Sequence, residues 1–158
     1  MVKVAIGQDS HAFEGENSQK ELILAGVAIE HCPGLKGNSD ADVILHALTN
    51  AISGITCVNI LGEISDESCL NKGVADSSIY LLEALKYMNQ LRISHVSISV
   101  EALRPKLAPH LNKMRENIAR ILSISKDSVG LTATTGEGLT EFGKGNGIFC
   151  TAIVTAEM

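Results

Sequence analysis

Asp9 and His11 stand two positions apart in IGQDSHAF, residues 6–13. On an extended chain alternate residues share a face, so this carboxylate and imidazole would point the same way. A third donor of matching type is His46, within NSDADVILHAL. Two imidazole nitrogens and one carboxylate oxygen suit zinc, with a fourth position left for water or substrate. Manganese or cobalt would also accept this set. Asp42 and His46 lie four apart, on one face of a helix. Asp42 is therefore placed to accept a hydrogen bond from His46 and to set its tautomer. From the residues alone a second reading stays open: a surface Asp-x-His pair and an unrelated helical histidine. Of the remaining histidines, His31, His95 and His110, the last two read as ordinary surface or packing residues.

Two further stretches carry the chemistry of an anion site. In TATTGEGLTEFGKGNG, 132–147, two threonines end a strand and glycines bracket Glu137, Glu141 and Lys144. Glycines let backbone N–H groups approach an anion closely. The Thr134 and Thr135 hydroxyls can donate to phosphate oxygens, Lys144 adds charge, and Glu137 suits a cation bridging to a phosphate. In LRPKLAPH, 103–110, Pro105 and Pro109 stiffen an exposed backbone that can read a nucleobase edge, beside Lys106. A flexible hairpin loop and a plain strand-to-helix connection are the competing readings.

The elements that must position these groups follow from periodicity. Residues 2–7 read as a strand ending at Gly7, and 13–21 as an exposed loop. ELILAGVAIE, 21–30, carries two strand-like runs broken at Ala25-Gly26, a hairpin signal. Residues 32–40 are loop. A helix is expected over 41–54, capped by Ser39 or Asp40 and ended by Gly54. Residues 55–75 imply an irregular connection through Gly62, Asp66, Asn71 and Gly73. A second helix is expected over 77–91 behind Asp76 or Ser77, then a strand over 93–102. An amphipathic helix over 108–124, a strand over 129–135, the glycine-rich loop over 136–147 and a strand over 148–157 complete the chain. This order predicts a single domain, 1–158, of the α/β class, an α+β sandwich. Helices cover one face of a small, mixed, ferredoxin-like sheet. The other face needs cover, and oligomerisation is the natural solution.

Composition narrows the function classes. The 158 residues include no Trp, two Tyr and three Phe, and carry a formal net charge of −5. Both facts argue against nucleic acid as a partner, which asks for stacking platforms and basic surfaces. Cys32, Cys57, Cys69 and Cys150 contain no C-x-x-C pair and read as buried, reduced thiols of a cytoplasmic protein. The N-terminus turns polar too soon for a signal peptide. No apolar run approaches the ~20 residues that span a bilayer, so no membrane partner is expected.

Four motifs now stand in order: D-S-H at 9–11, N-S-D-A-D-V-I-L-H-A-L at 38–48, R-P-K-L-A-P-H at 104–110 and T-T-G-E-G-L-T-E-F-G-K-G at 134–145. Together, over essentially the whole chain, they resemble the 2-C-methyl-D-erythritol 2,4-cyclodiphosphate synthase family. The resemblance implies a homotrimer with active sites between subunits. It implies a divalent ion, usually zinc, on Asp9, His11 and His46, and a magnesium or manganese ion held with the substrate diphosphate near Glu137. It assigns cytidine binding to Ala102, Leu103, Arg104, Pro105, Lys106, Leu107 and Ala108 with Thr134, Thr135, Gly136 and Glu137. Further substrate contacts fall on Ser10, Asn38, Ser39, Gly62 and Lys144, and the catalytic positions are Thr135, which stabilises the transition state, and Asn38. The implied reaction turns 4-diphosphocytidyl-2-C-methyl-D-erythritol 2-phosphate into the cyclic diphosphate and CMP. Three departures stand out. Asn38 replaces the family's usual transition-state histidine. Asn59-Ile60-Leu61-Gly62 replaces its D-I-G turn. The phenylalanine after the T-T-x-E motif slips by one, which leaves Glu141 and Phe142 without an inherited role. A zinc phosphodiesterase or phosphatase on a nucleotide ester, and a non-catalytic nucleotide-binding trimer, are the alternative functions.

Overall fold

The computed structural model describes residues 1–62, 73 and 75–158. Within them the order is β1 (Val2–Ala12), β2 (Glu21–Leu24), β3 (Val27–Pro33), α1 (Val43–Thr56), α2 (Ser77–Leu85), β4 (Arg92–Glu101), α3 (Leu111–Leu122), β5 (Val129–Thr134) and β6 (Gly147–Glu157). The mixed sheet runs β1-β6-β4-β5, and β2 pairs β3 as a separate hairpin. β6 is antiparallel to both β1 and β4, whereas β4 and β5 are parallel, joined across α3. The helices lie on one face, as the periodicity predicts, and the contiguous core is mainly aliphatic, with Phe13 and Tyr80 as its aromatic members. Among the described residues no helix is long and apolar enough to cross a membrane.

Four boundaries differ from expectation. β1 does not stop at Gly7 but runs to Ala12, because β6 pairs with it throughout: Gly7 faces Ala152, Asp9 faces Cys150 and His11 faces Ile148. The absent side chain at Gly7 serves close approach instead. A Cβ there would lie 2.2 Å from both the Ala47 carbonyl oxygen and the Ala51 nitrogen of α1. Gly54 likewise does not end α1, which continues to Thr56 and stops at Cys57 in the left-handed conformation (φ 62°). The second helix ends at Leu85, with a 3-10 turn at Lys86–Met88 and Asn89 at φ 53° closing it. α3 is shorter than its pattern, since Ser123 turns left-handed at φ 55°. Most of the irregular connection expected over 55–75, and Cys69 with it, lies outside the described residues.

The cap of α1 is Asp42, not Ser39 or Asp40. Its Oδ1 accepts from the Ile44 and Leu45 N–H groups at 3.2 and 3.1 Å. The same carboxylate accepts from Ala25 and Gly26 N–H at 2.9 and 2.6 Å. One buried side chain therefore starts α1 and holds the β2–β3 turn, where Ala25 and Gly26 both have positive φ. Of the described cysteines only Cys150 is fully buried, where burial pushes its thiol up; Cys32 is half-buried and Cys57 exposed, against the expectation of uniformly buried thiols.

Candidate active site

β1 brings Asp9 and His11 to one face, towards α1, and the first turn of α1 brings His46 to meet them. Asp9 Oδ2 lies 2.9 Å from His11 Nε2 and 3.0 Å from His46 Nδ1, and the two nitrogens are 3.4 Å apart. A tetrahedral zinc with bonds of ~2.0–2.1 Å holds its ligand atoms about 3.3 Å from one another, so this set fits such an ion. Among the described residues it is the one group of three or more His, Cys, Asp or Glu side chains close enough to share a metal. Burial opposes ionisation of Asp9, yet hydrogen bonds and attraction to the two imidazoles outweigh it and hold the carboxyl down at about 2. Burial also acts against a charge on His11. The Asp9 carboxylate, helped by the Lys36 backbone, nevertheless raises its value above that of a free histidine.

The predicted partner of His46 is corrected by the structure. Asp42 is occupied by four backbone N–H groups and does not face the imidazole. His46 Nε2 instead meets the Ser77 hydroxyl of α2 at 2.8 Å, and that hydroxyl is hydrogen-bonded to Asp40. Sequence reasoning read Ser77 only as a possible helix cap. Its one local signal was a Ser beside Asp76 at a helix start, which says nothing of a histidine 31 residues away.

The two stretches expected to bind an anion meet in part, without Gly136, Glu137 or Lys144 in the shared lining. Ala102, Leu103, Pro105–Pro109 and Ala133–Thr135 line a largely apolar cavity of about 330 Å³ between the β4–α3 connection and the end of β5. The Thr134 and Thr135 hydroxyls accept from Gly136 and Glu137 N–H, each at 3.3 Å. Acceptance uses lone pairs, so both O–H groups keep their hydrogens for a ligand. Arg104 is not in the lining: its guanidinium lies 4.9 Å over the Phe13 ring and bonds Glu16 at 2.9 Å. Glu137 is exposed at the turn after β5, and Lys144 pairs with Glu141 at 2.9 Å across the glycine-rich loop. Phe142 stacks on Phe149 with ring centres 5.5 Å apart. Asn38 and Ser39 lie in the loop entering α1, where Ser39 accepts from Ala41 N–H at 3.2 Å. Ser10 is exposed on the other side of β1 from Asp9 and His11, and Gly62 closes the turn after α1 at φ 102°.

Donor set and cavity sit at the same end of the sheet. Asp9 aligns with Cys150, Cys150 with Val100, and Val100 with Ala133. They occupy opposite edges, however: β1 and β5 are three strand spacings apart, about 14 Å.

The fold and site thus define a class, an α/β protein with a candidate divalent-metal centre at one sheet edge and a largely apolar cavity at the other. The YgbB family model matches residues 2–157, and the chain belongs to that family. It is 53% identical to the 2-C-methyl-D-erythritol 2,4-cyclodiphosphate synthase of Chlamydia felis over 155 residues, 97% of this chain and 88% of that one. In structure it is similar to the bifunctional IspDF from Campylobacter jejuni, with a TM-score of 0.88 and 32% identity. That match covers 99% of this chain and 42% of that longer one. It is also similar to IspF from Plasmodium falciparum, solved as a CDP complex, with a TM-score of 0.81 and 27% identity over 98% and 95% of the two chains.

Proposed function

We propose that the protein is a cyclising synthase of non-mevalonate isoprenoid biosynthesis. It converts 4-diphosphocytidyl-2-C-methyl-D-erythritol 2-phosphate into 2-C-methyl-D-erythritol 2,4-cyclodiphosphate and CMP, with the whole chain, 1–158, acting as one domain. The observation that carries this reading is the convergence of Asp9, His11 and His46 within hydrogen-bond distance of one another. The activity borne by the name of the Chlamydia felis relative supports it.

In the reaction an oxygen of the 2-phosphate attacks the β-phosphorus, and the bond from that phosphorus to the bridging oxygen breaks to release CMP. Attacking and attacked groups are both anionic, so the obstacle is repulsion and folding of the substrate. A divalent ion on Asp9, His11 and His46, zinc or else manganese or cobalt, would supply positive charge to those phosphates. A magnesium or manganese ion near Glu137 would do the same for the diphosphate. The chain's own residues bind and orient. The 102–108 backbone and the Thr134–Glu137 turn hold the cytidine end. Thr135 donates its hydroxyl to charge developing on phosphate in the transition state. Asn38 and Lys144 reach further phosphate oxygens, one as a neutral donor and one as a cation, while Ser10, Ser39 and Gly62 border the substrate. No general base is required, since the attacking phosphate is already ionised.

The width of the sheet between the two half-sites, three strand spacings, is bridged in this reading by a neighbouring copy in a homotrimer. Two features support it. Each half lies at a sheet edge, and the sheet face away from the helices exposes Val2, Val4, Ile6 and Ile153, the first three at 63, 63 and 65%. Phosphorus NMR of the reaction mixture tests the chemistry. The cyclic diphosphate with free CMP is expected, and an acyclic hydrolysis product would replace this reading by that of a phosphodiesterase.

A further inference from the structure

We infer that Ser77, braced by Asp40, is a positioning residue that dictates which nitrogen of His46 faces the metal centre. The inference rests on the metal-site reading above. It follows from counting hydrogens. A carboxylate can only accept, so the contact between Asp40 Oδ1 and Ser77 Oγ consumes the serine hydrogen. The serine oxygen then has only lone pairs to offer His46 Nε2 at 2.8 Å, and Nε2 must carry the hydrogen. A neutral imidazole has a single N–H. With a cation shared by the donor set, His46 Nδ1 is thereby the lone pair turned to it, beside Asp9 Oδ2 and His11 Nε2; without one, the Asp9 carboxylate 3.0 Å away can only accept, and Nδ1 carries a hydrogen to it. In the opposite tautomer a hydrogen on Nδ1 would block the ion.

The arrangement is rigid. Ser77 is fully buried and His46 is 9% exposed, so little water competes. Asp40 is clamped to the start of α2 by two more bonds. Its Oδ2 accepts from Ser77 N–H at 3.1 Å, and its own N–H donates to the Ala75 carbonyl at 2.8 Å. The first residue of α2 thus sets a side chain of α1, and neither Ser77 nor Asp40 belongs to the donor set.

Long-range nitrogen–proton NMR of the zinc-loaded wild-type protein reads directly which nitrogen of His46 keeps its hydrogen. Hydrogen on Nε2 of His46 is expected, and hydrogen on Nδ1 would overturn the inference without recourse to any variant. In Ser77→Ala, zinc affinity measured against a chromophoric chelator should fall about 10- to 100-fold, the scale for losing the outer partner of a ligating histidine. The same variant should show mixed tautomers at unchanged helix content by circular dichroism. Wild-type affinity with an unchanged tautomer in Ser77→Ala would contradict the inference. Failure of the underlying metal reading looks different: wild-type protein that binds no zinc, or His46→Ala that binds it as tightly as wild type.

Discussion

Three lone-pair donors held within 3.4 Å of one another are not at rest as neutral and anionic groups; they call for a shared cation or proton. Removing one, in His46→Ala, should weaken zinc binding by more than the ~100-fold that loss of an outer partner can cost. The chelator competition that reads it would contradict the account if affinity were unchanged. Protons compete for the same lone pair on His11. Because Asp9 raises the His11 value, the proton is held to a higher pH than in a free histidine. Zinc affinity should therefore fall on acidification, beginning above the ordinary 6.5 of histidine. Affinity that stayed flat through the histidine range would count against this. At this scale the sequence was legible where rules are local. Period two along β1 puts Asp9 and His11 together, whereas the meeting of His46 with them, 35 residues on, rested on the family resemblance and not on a local rule. Ser77 was illegible because its bond to His46 spans 31 residues and exists only once α1 and α2 pack.

The elements owe their placement to a few polar or absent side chains. Asp42 accepts four backbone N–H groups from two elements, and burial pushes its carboxyl up to about 6 against their pull. Asp42→Ala should remove the cap of α1 and strand the hairpin donors, costing about 2–4 kcal/mol in urea unfolding. A loss below about 0.5 kcal/mol would show that neither bond set matters. Gly7→Ala should be destabilising although alanine favours many backbones, because its methyl would meet the α1 backbone at 2.2 Å. Helix and strand interiors were readable from periodicity, including the alternation of β4 and the amphipathic stripe of α3. Their ends were not. Gly7 and Gly54 look like terminators in the sequence, yet both are sites where β1 and α1 touch, a relation visible only in three dimensions.

At the scale of the molecule, a mixed sheet with helices on one face leaves the other face bare. Ile6 and Ile153, paired across β1 and β6, lie on that face 65% and 41% exposed. The need for cover was legible from composition and element order. The separation of the two half-sites was not, because it depends on strand order rather than on any motif. The account predicts three chains per particle by light scattering. Ile153→Glu, which puts a charge on the bare face, should release single chains that keep zinc affinity and lose turnover. Full activity from a wild-type monomer would refute the shared site. The most direct measurement of the central claim is zinc-edge anomalous diffraction from crystals grown with zinc and CDP. The account predicts one strong peak per chain, about 2.0–2.2 Å from Asp9 Oδ2, His11 Nε2 and His46 Nδ1, with the cytidine in the 102–108 cavity of the adjoining copy. Zinc bound elsewhere, or none at these three atoms, would contradict it.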